Sequence, residues 1–371
     1  MKVLFISYWY PSKNNPLKGV FVKKHAFAAA VENEVYILSL VIENSTKFYK
    51  KEILNFKDER GLNNTQIIIS SKYYKLFHLL LFFQYRLLKI EATKIVAGFK
   101  PQIIHSNVLY PAAILGYKLS KHYTLPHIIT EHWSKVNKFM GKSLYARMGK
   151  KAYSQAKAVT VVSDFLKENI LTYIDPLRTH VVPNVVYTSL FSFKPKAICS
   201  DTITFTIVAH WTNPKRPDLV FYGLNKFANH TTKKIVLNVI GEGYLIHELK
   251  TKIWQFKVNY LGNKTPYELA DTLQKSDYFL HASEIETFSI VIAEALSTGT
   301  PVLASNVGAI SELINETNGV LTTNTVENWE KSLITLTGKQ FNHELIANST
   351  EKFSEKNIGE QFTRIYKRII V

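Results

Sequence analysis

Two carboxylates, Glu286 and Glu294, stand eight positions apart in the run Ser283-Glu284-Ile285-Glu286-Thr287-Phe288-Ser289-Ile290-Val291-Ile292-Ala293-Glu294-Ala295-Leu296. A loop gives way to an apolar helix at about Phe288, and Gly299-Thr300-Pro301 then turns the chain into a buried strand. Glu286 is thereby placed just before a helix N-terminus and Glu294 about two turns inside it. At about 100° per residue their net rotation is roughly 80°, so the two lie at different levels on broadly one side. Exposed N–H groups at Thr287, Phe288 and Ser289 attract a phosphate, and a carboxylate beside them accepts from hydroxyl groups. A ligand carrying both, such as a nucleotide sugar, suits the arrangement. The spacing by itself equally fits a solvated glutamate followed by an ordinary helix glutamate.

These residues need elements to hold them, and both halves of the chain supply the same kind. In the first half, Val3–Ser7, Glu34–Leu40, Gln66–Ser70, Ile103–His105, His127–Thr130 and Ala158–Val162 read as strands. Between them lie helical stretches such as Phe21–Val31, Tyr73–Ala97, Pro111–Lys121 and Lys142–Ser154. Val181-Val182-Pro183-Asn184 closes that series, and Ser189–Ser200 reads as a linker. A second series follows with strands at Thr204–Ala209, Lys234–Ile240, Val258–Leu261, Tyr278–His281, Pro301–Ala304 and Gly319–Leu321, and a last helix at Glu351–Ile370. Alternation of this kind predicts parallel, doubly wound sheets.

With 371 residues, 46% of them hydrophobic, the chain has room for two such domains, each with its own core. The single Cys199 rules out an intramolecular disulfide and fits a reducing compartment. Met1–Ile6 is apolar, but Tyr8-Trp9-Tyr10-Pro11 follows at once, as in a first strand rather than a signal peptide. No run reaches the roughly 18 apolar residues that span a bilayer. The net charge of +17 is unevenly spread: residues 1–200 carry 29 Lys+Arg against 11 Asp+Glu, and residues 201–371 carry 17 against 18. The excess sits in the first half and points to a polyanionic partner, either nucleic acid or an anionic membrane.

Ser283, Glu286-Thr287-Phe288, Glu294-Ala295 and Gly299-Thr300-Pro301-Val302, taken together, resemble the retaining, metal-independent glycosyltransferases of family 4 (glycosyl transferases group 1). The resemblance implies an α/β protein of two Rossmann-like doubly wound domains facing across a cleft, the GT-B fold. It divides the chain into an acceptor-side domain (1–190), a nucleotide-sugar-binding domain (191–350) and a helix (351–371) crossing back to the first. Tyr10-Pro11 and Pro16–Val22 resemble the family's first loop, where Gly19 lets the backbone approach the donor phosphates or the acceptor and Tyr10 is a candidate acceptor contact. Read alone, Gly19 is a turn glycine.

His132 follows an apolar strand, at the edge where doubly wound sheets bind ligands. The resemblance sets it beside the transferred sugar, with Glu131 a further acceptor contact; a buried structural histidine is the alternative. In Val208–Asp218, Lys215 matches a family lysine that holds the leaving diphosphate, while His210 stands where an arginine is expected. Arg216 is the candidate to supply that missing charge. Gly241-Glu242-Gly243, a weak signal alone, resembles the turn beneath the nucleotide. Ser289 replaces a frequent glycine and Ala309 the second glycine of a common pair; a backbone N–H survives either change.

What the resemblance implies is sugar transfer from a nucleoside diphosphate, by default UDP, with retention at the anomeric carbon. Lys215, Arg216 and the N–H groups near Ser289 stabilise the departing charge. Glu286 holds donor-sugar hydroxyls and Glu294 those of the ribose. No cofactor and no metal is implied; the seven aspartates contain no Asp-x-Asp. The acceptor is a lipid-linked saccharide on the way to a cell-surface polysaccharide or glycolipid. The basic half then reads as a surface for an anionic membrane, with the enzyme cytoplasmic and peripheral on the inner face. Residues 72–90, basic at both ends and apolar between, are the expected interfacial helix; a core helix flanked by solvated lysines is the plain alternative. A nucleic-acid-binding protein has only charge in its favour, with no zinc pattern or basic heptad region. A catalytically silent subunit of the same fold is motivated by His210 and Ser289. An ATPase is set aside, because Val136 occupies the first glycine position of the P-loop pattern that Gly141-Lys142-Ser143 would end.

Overall fold

A computed structural model describes residues 1–142, 144–195 and 201–370. Cys199, Ser143 of the Gly-Lys-Ser tripeptide and the end of the linker read at Ser189–Ser200 lie outside the described residues. The chain forms two compact units, Met1–Val185 with Glu355–Val371, and Val186–Ser354.

In the first unit the strands are β1 (Lys2–Ser7), β2 (Glu34–Asn44), β3 (Lys50–Lys57), β4 (Asn63–Ser71), β5 (Ile103–Asn107), β6 (His127–Glu131), β7 (Ala158–Val161) and β8 (Thr179–Val181). They form one sheet in the order β3-β4-β2-β1-β5-β6-β7-β8. All neighbours are parallel except β3, which pairs antiparallel with β4. Central strands are apolar on both faces, as Val3-Leu4-Phe5-Ile6 shows, because helices cover both sides of a parallel sheet. The sequence reading missed β3: Lys50-Lys51-Glu52-Ile53-Leu54-Asn55-Phe56-Lys57 has no period-two pattern, and most of the strand is exposed at the sheet edge.

The expected single helix over residues 73–97 is two helices, Tyr74–Leu79 and Leu81–Phe99, broken at Leu80. Gln84 explains the break: its Nε2 donates to the carbonyls of Phe77 (2.6 Å) and His78 (3.0 Å), satisfying groups that a continuing helix would have used. The last helix, Glu355–Ile370, packs in the first unit on the helix Val20–Ala29. Gly359 permits the approach, since a Cβ there would lie 2.3 Å from the Ala28 carbonyl oxygen. Asn33 Nδ2 donates to Thr363 Oγ1 (2.8 Å), and the Tyr366 hydroxyl meets His105 Nδ1 (2.7 Å).

The second unit holds β9 (Thr202–Val208), β10 (Lys234–Ile240), β11 (Lys257–Gly262), β12 (Tyr278–His281), β13 (Val302–Ser305) and β14 (Gly319–Thr322). Their order is β11-β10-β9-β12-β13-β14, all parallel. Phe205, Phe221, Leu224, Trp329 and Leu333 form much of its core. The direction of winding reverses between β9 and β12, and at such a switch point the loops leaving the carboxyl ends part to form a crevice.

Candidate functional site

Two loops leave the switch point of the second unit, one after β9 and one after β12. Lys215 pairs with Ser283 as an isolated antiparallel bridge, Arg216 N–H donates to the Ala282 carbonyl (3.1 Å), and Glu284 N–H to that of Pro214 (2.9 Å). These backbone bonds bring Lys215 onto Glu286, and the two form an ion pair. His281, the last residue of β12, places Nε2 2.9 Å from the same Glu286 Oε1 and 3.5 Å from Lys215 Nζ. Ser289 Oγ lies 3.5 Å from that nitrogen.

Burial alone would push the Glu286 carboxyl up, but the Lys215 charge and the His281 hydrogen bond outweigh it and hold it down at about 2. Burial, then the Lys215 charge, pushes His281 below its ordinary 6.5. The ring is therefore neutral at pH 7, and its Nε2–H donates to the carboxylate. The Glu286 carbonyl is fixed as well, accepting from Ala309 N–H (3.0 Å). Gly308 makes this contact possible: φ is +56°, and a Cβ would lie 2.1 Å from that carbonyl oxygen. Ala309, where a second glycine was expected, supplies its N–H unchanged.

The helix carrying Glu294 spans Ile290–Ser297, starting two residues later than Phe288. Ser289 precedes it in the left-handed region (φ +70°, ψ +83°), which accounts for the glycine the resemblance expects there. Glu294 is buried within the helix and Thr287 half-buried in the loop. The Phe288 ring is buried 5.3 Å from Phe353 and belongs to the core, which leaves the backbone N–H, the group the sequence points to, as its only part for a ligand. Arg216 is a correction. Its guanidinium grips Asp218 through Nε (2.9 Å) and Nη2 (2.7 Å) and nears Glu284 at 3.6 Å, so its charge is already committed. His210 is exposed on the loop after β9.

Gly241 and Gly243 have a structural reason of their own. A Cβ at Gly241 would stand 1.9 Å from the Ala209 carbonyl oxygen, and one at Gly243 2.2 Å from that of Trp211. The loops after β9 and β10 are stitched by Trp211 N–H to Glu242 O (2.8 Å) and Leu245 N–H to Trp211 O (3.1 Å). Beside them a cavity of about 460 Å³ is lined by Gly241, Glu242, Gly243, His247, Lys250 and Tyr260.

The first unit has its own cluster at the carboxyl edge. Gly19 (φ +69°) starts the helix Val20–Ala29, and a Cβ there would lie 2.1 Å from the Trp9 carbonyl oxygen. The His132 ring is buried after β6, 4.7 Å from Phe21 and 5.0 Å from His25, with burial holding it well below its ordinary pKa. Glu131 is corrected: its oxygens accept from the N–H groups of Leu109 (2.9 Å), His132 (2.9 Å) and Trp133 (2.8 Å) and from the Tyr153 hydroxyl (2.8 Å). Fully buried, it ties the ends of β5 and β6 together and leaves no lone pair facing an acceptor. Tyr10, at 3% exposure, is likewise a packing residue rather than a surface for an acceptor.

Sequence reasoning missed His281 and His25. Both had a signal: His281 ends an apolar strand, the feature used for His132, and six positions beyond Gly19, in the helix that Gly19 starts, stands His25. Its Nε2 donates to the Pro183 carbonyl at 2.9 Å.

Residues 190–355 match the family described as Glycosyl transferases group 1, and residues 41–190 match Glycosyltransferase Family 4. The chain is 25% identical over 166 residues to the phosphatidylinositol N-acetylglucosaminyltransferase gpi3 subunit of Schizosaccharomyces pombe, over 43% of this chain and 36% of that protein. It is 28% identical over 184 residues to the UDP-Gal:alpha-D-GlcNAc-diphosphoundecaprenol alpha-1,3-galactosyltransferase of Escherichia coli, covering 44% of this chain and 46% of the other. These matches span less than half of either curated relative. Anabaena HepE, solved with UDP and glucose, superposes with a TM-score of 0.73 at 16% identity, over 99% of this chain and 100% of its own. With both family matches in place and the fold shared end to end, the chain belongs to the family 4 (group 1) glycosyltransferases of GT-B fold.

Proposed function

We propose that this glycosyltransferase is a retaining, metal-independent enzyme that moves a hexose from a nucleotide sugar, by default a UDP-sugar, to a lipid-linked saccharide. The observation that carries this reading is the Lys215–Glu286–His281 cluster at the switch point of the second unit. A partly buried carboxylate held ionised accepts sugar hydroxyls, and a lysine beside it counters the charge that grows on a departing diphosphate. The oxocarbenium character of such a transfer needs no covalent nucleophile in this scheme. Glu294 then serves the ribose, and His132 the transferred sugar. Support for the donor comes from HepE, which binds UDP and glucose. The Escherichia coli relative, named for a diphosphoundecaprenol substrate, supports a lipid-linked acceptor.

The acceptor reading extends to a membrane. No helix among the described residues is long and apolar enough to cross one. We place the enzyme at the cytoplasmic face, held by its basic first half. A silent binding subunit is the second reading, favoured by exposed His210 in the arginine position and by the prior commitment of Arg216 to Asp218.

A thermal-shift screen of UDP- and GDP-sugars, followed by assay of nucleoside diphosphate release in the presence of EDTA, tests the whole. At least one sugar nucleotide should raise the melting temperature. Turnover should persist in chelator and fall about a hundredfold in Glu286→Gln. Binding without turnover would establish the silent subunit, and no binding by any nucleotide sugar would sink the transferase reading.

A further inference from the structure

Glu286 Oε1 is the shared acceptor of two donors of unequal kind, the mobile ammonium of Lys215 and the His281 ring. The lysine stands on a loop at the end of a flexible side chain. The histidine ends β12, where it pairs in register with Ala304 of β13, and it is only 3% exposed. A diphosphate carries more negative charge than one carboxylate, so a bound donor competes with Glu286 for Lys215. When the lysine turns to the phosphates, Glu286 loses its counter-charge inside a desolvated site, and a buried carboxylate left without donors is strongly disfavoured.

We infer that His281 is a positioning residue: its Nε2–H keeps Glu286 ionised and aimed at the donor sugar after Lys215 has moved to the diphosphate. The inference rests on the donor site proposed above. It separates two jobs that the donor-free ion pair merges. Lys215 answers to the diphosphate, and His281, through Glu286, answers to the sugar. A donor mounted on a strand end holds the carboxylate more narrowly than a loop lysine does, which suits selection among sugar hydroxyls.

The measurement is calorimetric affinity for UDP and for a panel of UDP-sugars, taken as the ratio of sugar nucleotide to UDP. His281→Leu keeps volume and removes the donor, and His281→Gln keeps an N–H of similar reach. In His281→Leu the best ratio should fall about ten- to a hundredfold while UDP affinity stays within about twofold, and His281→Gln should recover most of the loss. Should the apolar variant fail to fold, His281→Asn, whose amide stops short of Glu286, replaces it with the same expectation. An unchanged ratio, or equal losses for UDP and its sugars, overturns the role. If wild-type protein binds neither UDP nor GDP nor any of their sugars, the donor site itself is refuted, and the inference falls with it.

Discussion

Ser289 is a residue whose conformation and chemistry conflict. At φ +70° a side chain costs about 1–2 kcal/mol relative to glycine, while glycine loses about 0.4–1 kcal/mol more chain entropy on folding. The first term is larger, so Ser289→Gly should stabilise the second unit by roughly 0.5 kcal/mol in urea unfolding. A comparable loss would show that its hydroxyl, 3.5 Å from His281, matters more than its backbone. Val108 has the same sign of φ, +69°, yet its side chain is buried, and removing it would forfeit about 1.5–3 kcal/mol of burial, so glycine is not expected to help there. Lys215 was reached through the family resemblance. The places of the two glutamates, one before a helix and one inside it, were legible in the sequence because neighbouring positions fix them: a loop, an apolar helix and a turn in fixed order. His281 was not, since its meaning lies in a carboxylate that folding returns to it from five positions ahead. Glu131 was misread for the opposite reason. Its four donors come from Leu109, His132, Trp133 and Tyr153, and only folding brings the first and last of them to it.

Among elements, the strand series was readable wherever a strand is buried on both faces, because a continuous apolar run bounded by turns has few other solutions. Tyr278–His281 and Lys234–Ile240 were read with the bounds they have. The exposed edge was not readable, and it is there that the proposed membrane contact changes shape. Instead of one helix over residues 72–90, the surface combines β3, its preceding loop, the short helix Tyr74–Leu79 and the first turn of the helix Leu81–Phe99. Phe48 (70%), Leu76 (53%), Leu79 (56%) and Phe82 (69%) are exposed, and Lys72 lies 5.5 Å over the Phe48 ring and 5.1 Å over that of Tyr73. Lys47, Lys51 and Lys75 are exposed in the same segments. Each lysine near an anionic surface contributes about 1 kcal/mol, so Lys72→Gln with Lys75→Gln should weaken binding to phosphatidylserine vesicles about tenfold or more at low salt. Phe48→Ser with Phe82→Ser should weaken it at every salt concentration, because burial of rings in the interface is not screened. Vesicle partitioning unchanged by both pairs would remove this surface from consideration.

For the whole molecule, the two units differ in how they meet acid. The first unit buries His25, His105, His127 and His132, all pushed down foremost by burial, His25 to about 4 and His127 to about 3. Each stays neutral when folded and takes up a proton near 6.5 when unfolded. From pH 6.5 down to the folded values the unfolded chain therefore binds more protons, and stability present above 6.5 is lost as pH falls. In the second unit, burial pushes His281 down in the same way, and Glu286 adds a loss only between 4.5 and about 2. Hydrogen exchange followed from pH 7.5 to 5 should thus show protection falling first in residues 1–185 and later in 186–354. Charge works in the same direction, because residues 1–200 already carry 29 cations against 11 anions and acid only widens that excess. Salt separates the two causes. Repulsion between exposed charges is screened within about 8 Å at physiological ionic strength and within about 3 Å at 1 M, whereas the cost of a buried imidazolium is a desolvation cost that salt leaves in place. An acid loss that survives 1 M salt and shrinks in His127→Gln belongs to the buried histidines; one abolished by salt belongs to the surface, and the histidine account would then be wrong.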